Sequence, residues 1–366
     1  MHAKSLTHII TALVLTTTLT AACGGGATPA AGDGSSAPAA GAYAPLRSQV
    51  LDRSAEMGRA ANALRTSATA YLELARAANF DYDALLGANK AAVLEHVLEA
   101  RAAWRNAAVS YSYMEGIVAG APALADYDVI LDTGSSAGEG DESVAPYDLT
   151  LADGRVLKQP GNLFSVLEAL LWGTRPEFRA PGDVAADFDG DGAVGFGDHL
   201  PDAAVLSAAA DALVEQSAAL EKAASAWQPS ENDAFLSLLI MTPSLGDYID
   251  AWKESRFVMG DASLHAENVG LSRIADLDGV MKGLRIVFDA AEPRIRAVDP
   301  ATADMFDAEL STLARKVADT AKAEAGGRRF STLEAAALAD DAAQVGQKLA
   351  DALFAAAEKA GIRIDE

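Results

Sequence analysis

Phe164-Ser165-Val166-Leu167-Glu168-Ala169-Leu170-Leu171-Trp172-Gly173 decides the reading of this chain. It sets a lone carboxylate inside an otherwise apolar run. Helical spacing stacks Phe164, Glu168 and Trp172 in one row, beside the row of Leu167 and Leu171. An acid so placed has to be hydrogen-bonded, metal-bound or protonated, because desolvation otherwise costs several kcal/mol. The helix is therefore expected to be buried, with Glu168 facing a polar interior.

On either side the chain continues in the same style. Alanine-rich segments with apolar residues every three or four positions dominate, and β-branched alternation is scarce. Helices are predicted near 45–78, 83–119, 161–173, 202–227, 231–258, 272–297, 301–324 and 331–360. Gly120 with Pro122, Gln228-Pro229, Asp299-Pro300 and Gly326-Gly327 mark stops. Ser230 before Glu231-Asn232-Asp233 and the capping box Ser331-Thr332-Leu333-Glu334 mark starts. The fold class is all-α: two up-down bundles, 43–228 and 229–366, with a long irregular insertion and an EF-hand-like calcium loop. One elongated helical body is the alternative. The insertion runs from Ala121 to Pro160 and contains a hairpin, Leu149 to Leu157, turning at Asp153-Gly154.

The second irregular stretch, Thr174 to Pro201, carries the clearest ion-binding pattern. Asp187-x-Asp189-x-Asp191-Gly192-Ala193-Val194-Gly195-Phe196-Gly197-Asp198 matches the twelve-residue calcium loop at positions 1, 3, 5, 6 and 8, with an acid at 12. Asp187, Asp189, Asp191 and Asp198 would converge on a structural calcium, with Ala193 offering its carbonyl. Gly192 permits the left-handed turn, and Val194 is expected to anchor the loop to apolar neighbours. Asp198 is shorter than the usual Glu, so modest affinity is expected. An acidic Gly-rich linker that binds nothing is the competing reading.

The N-terminus reads as an export signal. Lys4 precedes an apolar, Thr-rich segment, and Thr20-Ala21-Ala22 leads to Cys23, the single cysteine. Residues 1–22 are expected to be cleaved and Cys23 lipidated, which makes the membrane a partner through a lipid anchor in the periplasm or on the outer cell surface. Residues 23–42, rich in Gly, Ala, Ser and Pro, would form a disordered leash reaching roughly 25 Å. No transmembrane helix is expected after the signal. Without further cysteines the fold has to rely on core packing. The formal charge of −23 repels nucleic acid and favours cations or basic partners.

Several segments together resemble the imelysin family. Its signature Gly-x-His-x-x-Glu, followed by an apolar run ending in Leu-Trp-Gly, is met here by Glu168 and Leu171-Trp172-Gly173, with Leu163 for the Gly and Ser165 for the His. Arg101-Ala102-Ala103-Trp104, Tyr111 and Met114-Glu115-Gly116 resemble the family's first characteristic helix. Ser244-Leu245-Gly246-Asp247 leading to Lys253-Glu254-Ser255-Arg256, then Glu267, Ser272, Asp276, Gly283 and Phe288, follow the pattern of its second half. The resemblance spans about Leu46 to Ile295. It implies two helical halves with a cleft between them and an envelope protein tied to iron uptake, with iron-uptake envelope proteins as partners. Some members were named peptidases, the His and Glu being proposed metal ligands.

Because Ser165 stands at the His place, a cleft site would need Glu168 with Glu115, Glu254 or Glu267, and His265 as the better of the histidine candidates. Such an oxygen-rich set favours hard cations, ferric iron among them, over zinc. Glu115 and Glu254 could instead be solvated or paired with Arg101 and Arg256. No His-Glu-x-x-His or cysteine nucleophile occurs in residues 24–366. The leading expectation is a non-enzymatic envelope lipoprotein binding iron, another metal or a metal-loaded partner. A metallopeptidase and a calcium-stabilised surface interaction module are the alternatives.

Overall fold

A computed structural model describes residues 41–138 and 143–362. The signal segment, Cys23 and nearly all of the leash lie outside these residues. The fold is all-α, with one two-stranded sheet. The first half is built on α1 (Ala44–Ala77), α2 (Tyr82–Ser112), α5 (Leu163–Trp172) and α6 (Ala203–Ala226). The second is built on α7 (Glu231–Glu254), α9 (Arg273–Val298), α10 (Pro300–Ala325) and α11 (Thr332–Ala360). Short helices α3 (Glu115–Gly120), α4 (Ala125–Asp128) and α8 (Arg256–Met259) link them.

Local chemistry explains the boundaries. Ser230 and Asp233 close a capping box at α7, as Ser331 and Glu334 do at α11, each satisfying end N–H groups the helix cannot. Asn162 accepts from the N–H of Ser165 to start α5, and Gly173 ends it at φ +61°. An added Cβ at Gly173 would stand 2.6 Å from the Cβ of His199, so glycine is required twice over. The hairpin is present as β1 (Asp148–Thr150) and β2 (Val156–Lys158), antiparallel, with Leu149 opposite Leu157.

Two predicted helices prove to be broken. The 83–119 segment bends at Tyr113–Met114, where α9 crosses closely: a Cβ on Gly279 would lie 2.7 Å from the Cβ of Ser112, and one on Gly283 would lie 2.6 Å from the Tyr113 carbonyl oxygen. The bend turns Glu115 inward. The 231–258 segment breaks at Ser255, which is extended (ψ 167°) and caps α8 with its hydroxyl. The insertion is also less irregular than its composition suggests, since Val129–Thr133 forms a π-helix directly after α4.

α1 packs between α2 and α6, and α7 packs against α9 and α11. α3 falls within the first half in sequence but lies chiefly on α7. The buried apolar residues form one continuous cluster across both halves, from Leu46 and Tyr71 to Phe288 and Leu353. Against expectation, α6 is long and apolar enough to cross a membrane by length and composition, with mean hydropathy 1.2. Half of that window is buried in the protein, and Leu206, Leu213 and Leu220 are fully covered, so its apolarity is explained by the core.

Candidate functional site

Between the halves lies a cleft of about 690 Å³. α2, α3, the π-helix and α5 supply one wall; α7, the 267–271 segment and the start of α9 supply the other. Seven carboxyl groups line it (Glu115, Asp128, Asp132, Glu168, Asp247, Glu267 and Asp276) against two arginines, Arg175 and Arg273. The electrostatics favour a cation.

Glu168 is only 6% exposed. Its Oε1 accepts the N–H groups of Val269 (3.0 Å) and Gly270 (2.8 Å), and its Oε2 accepts that of Asn268 (2.9 Å). Asn268 adopts φ +55°, which curls three successive N–H groups into a concave nest around the carboxylate. Burial pushes the Glu168 carboxyl up to about 7, while these hydrogen bonds pull the other way. Of the three fates open to this acid, hydrogen bonding is the one observed, and its donors lie a hundred residues away on the opposite wall.

Trp172 and Trp104 close over the same nest. A Cβ on Gly270 would lie 2.6 Å from Trp172 Cη2 and 2.7 Å from Trp104 Cζ3. The two indoles meet edge to face at 5.2 Å, and Trp104 Nε1 donates to the Phe164 carbonyl at 3.1 Å. Arg105 lies over Trp172 and donates to the Gly270 carbonyl at 2.7 Å. All four tryptophans are buried packing residues.

The remaining cleft acids carry less committed oxygens. Glu115, 4% exposed, accepts a short hydrogen bond from the Tyr248 hydroxyl. Burial raises its carboxyl well above the usual range, and neighbouring Asp132 and Asp276 add to the effect. Asp128 accepts from Tyr111 (2.5 Å) and Thr133 (3.1 Å), and burial raises it too. Asp276 accepts from Ser112 and from Arg273. Asp132 sits on the π-helix with no hydrogen-bond partner among the described residues, and burial pushes it up to about 7. π-Helical turns often mark functional sites, and here one places an uncommitted acid at the cleft wall.

Sequence reasoning brought Glu115, Glu168, Glu267 and Ser165 to the cleft, and all four line it. Glu254 and His265 are elsewhere. Both are exposed, and they contact each other at 3.0 Å outside the cleft. The pairing of Glu115 with Arg101 is also absent, since Arg101 donates to the carbonyls of Leu171 (2.8 Å) and Gly197. Asp128, Asp132, Tyr248 and Arg273 were missed. A sequence clue existed only for Asp128 and Asp132, an i,i+4 acid pair in an apolar context.

In the calcium-type loop, the carboxylates of Asp187, Asp189 and Asp191 approach within 4.8 Å of one another; among the described residues no other group of three His, Cys, Asp or Glu does so. Gly192 takes φ +86° as the turn demands. Asp198 is buried and separate: its oxygens accept from the N–H groups of Phe188 (3.0 Å) and Gly195 (2.7 Å). Val194 does not anchor the loop, being 66% exposed. With no partner loop to pack on, the anchoring falls to Phe188, which is buried beneath the Arg101 guanidinium at 4.4 Å.

The imelysin family model (peptidase M75) matches residues 50–360. The chain belongs to the imelysin family. A search of curated proteins finds no match. Within the imelysin signature, Ser165 is half-buried at the cleft wall, one turn before Glu168. This imelysin therefore presents a hydroxyl where the pattern has an imidazole, and its cleft is lined by oxygen donors with arginine as the nitrogen-bearing counter-charge.

Proposed function

We propose that this imelysin is a lipid-anchored envelope protein that binds a hard metal cation, iron, in the cleft between its halves. The observation that carries the reading is the cleft itself: seven carboxyls against two arginines, contributed by both halves. Carboxylate oxygens, which dominate the donor set, suit a hard cation. No three cleft acids approach within 4.8 Å of one another, so the ion is taken to enter with part of its water or chelate shell, for which about 690 Å³ leaves room. Glu115, Asp132 and Asp276 would face it, with Glu168 holding the wall. The anchor rests on Cys23 and the signal before it, and calcium would occupy the Asp187–Asp191 loop as a structural ion. The double variant Glu115→Gln, Asp132→Asn should bind ferric iron, supplied as a weak chelate, at least tenfold more weakly and should fail to support iron-limited growth. Unchanged binding and growth in that variant would refute the reading.

One observation favours a second reading, a metal-dependent peptidase. Asp132, raised to about 7 and without a hydrogen-bond partner, has the properties of a general base. Cleavage of a peptide library that is lost with chelator and with Asp132→Asn would establish it over the first.

A further inference from the structure

A second pocket, of about 240 Å³, opens outside the cleft where the calcium-type loop meets the segment after α8. Two of the three histidines among the described residues, His199 and His265, line it from different segments. His199 Nδ1 stands 2.9 Å from Asp183 Oδ1, off the N–H axis, and His265 Nε2 stands 3.0 Å from Glu254 Oε2. The opposite ring nitrogens, Nε2 of His199 and Nδ1 of His265, have no partner among the described residues.

In metal-binding imidazoles an outer carboxylate commonly stands beside the ring nitrogen that does not ligate, and here Asp183 and Glu254 stand at ion-pair distance from those nitrogens. Two arginines also line the pocket, but each is neutralised, Arg179 by Asp183 at 3.0 Å and Arg256 by Asp261. The buried, unpartnered hydroxyl of Thr174 at the same pocket offers a hydrogen bond to a metal-bound water. We propose that His199 and His265 together bind one divalent transition-metal ion of the copper, nickel or zinc class, with Asp183 and Glu254 setting the rings. Imidazole nitrogen suits these borderline ions. The site is chemically distinct from the all-oxygen cleft and stands or falls independently of iron binding there.

The test is copper(II) titration of untagged protein in excess calcium, which occupies exposed carboxylates, read by pulsed electron paramagnetic resonance of imidazole nitrogen. One copper with two coupled imidazoles is expected. His199→Ala or His265→Ala should leave one imidazole and weaken binding at least tenfold, while His96→Ala should behave as the unmodified chain. Asp183→Asn suits the left-handed backbone there (φ +55°); it and Glu254→Gln should keep both imidazoles yet bind roughly 10–100-fold more weakly. A unmodified protein showing fewer than two imidazoles, or a two-imidazole signal that survives the double His199→Ala, His265→Ala variant, overturns the proposal.

Discussion

Replacing Glu168 tests whether the signature acid is a strap between the halves. In Glu168→Ala the N–H groups of Asn268, Val269 and Gly270 lose their acceptor. Val269 and Gly270 are buried, and each orphaned buried donor costs about 1–3 kcal/mol, whereas Asn268 is half-buried and can rehydrate. The expected loss is roughly 2–6 kcal/mol before the charge is considered. The charge matters because the folded carboxyl titrates near 7 while the unfolded one titrates near 4.5. The folded chain therefore holds the extra proton between those values. Its stabilising contribution is complete below about pH 4.5 and is lost as pH rises through 7, a swing of roughly 3 kcal/mol.

Glu168→Gln removes that swing. Glutamine keeps one oxygen for Val269 and Gly270 and turns an amide against the Asn268 N–H, costing about 1 kcal/mol. At pH 5 the glutamine variant should accordingly be slightly less stable than the unmodified protein. At pH 8 the order should reverse by about 2 kcal/mol, and the alanine variant should also suffer less there than at pH 5. Urea unfolding at pH 5, 6, 7 and 8 measures the curves, and hydrogen exchange at residues 268–270 reads the strap directly. Parallel curves for glutamate and glutamine across this range, or unchanged exchange at those amides in Glu168→Ala, would refute the reasoning.

Gly270→Ala should destabilise the protein by about 1–3 kcal/mol through overpacking against Trp104 and Trp172, read as a lowered urea midpoint with altered near-ultraviolet dichroism. An unperturbed tryptophan signal would show that the contact is not tight. For the calcium-type loop, isolated sites of this type bind at about 10⁻⁴–10⁻³ M, so 10 mM calcium should add about 1.4–2.7 kcal/mol and raise the melting temperature by a few degrees. Asp189→Asn should abolish most of that rise; an equal rise in both proteins would remove calcium from the loop.

The helices were legible because the chain writes them twice, in apolar periodicity and in caps such as Ser230 and Ser331, which the structure uses as expected. The hairpin at Asp153-Gly154 was legible for a similar reason, since turn chemistry is local. What escaped detection depends on tertiary contact. The bend at Tyr113–Met114 is imposed by Gly279 and Gly283 of α9, and no residue at the bend itself announces it. Without that bend Glu115 could be placed only on a generic helical face. Asp132 owes its position to a π-helical turn whose sequence, Val-Ile-Leu-Asp-Thr, is unremarkable. The partners of Glu168 were unreadable for a deeper reason: they are backbone N–H groups, which every sequence supplies and none advertises.

That last point shifts where the chemistry of this cleft has to reside. An acid whose two oxygens already accept three backbone hydrogen bonds has little donor capacity left for an ion. The imidazole place of the signature is filled by Ser165, so neither motif position is well suited to capture a cation. Asp132 on the π-helix keeps its oxygens free of hydrogen bonds among the described residues and Glu115 on α3 gives one of its two to Tyr248, whereas both oxygens of Asp276 on α9 already accept, from Ser112 and Arg273. A cation drawn to all three would tighten the same seam that Glu168 holds. On the proposed binding, occupancy of the cleft and rigidity of the α5 to 268–270 contact would be two readouts of one event, and hydrogen exchange at Val269 and Gly270 should slow as the cleft fills.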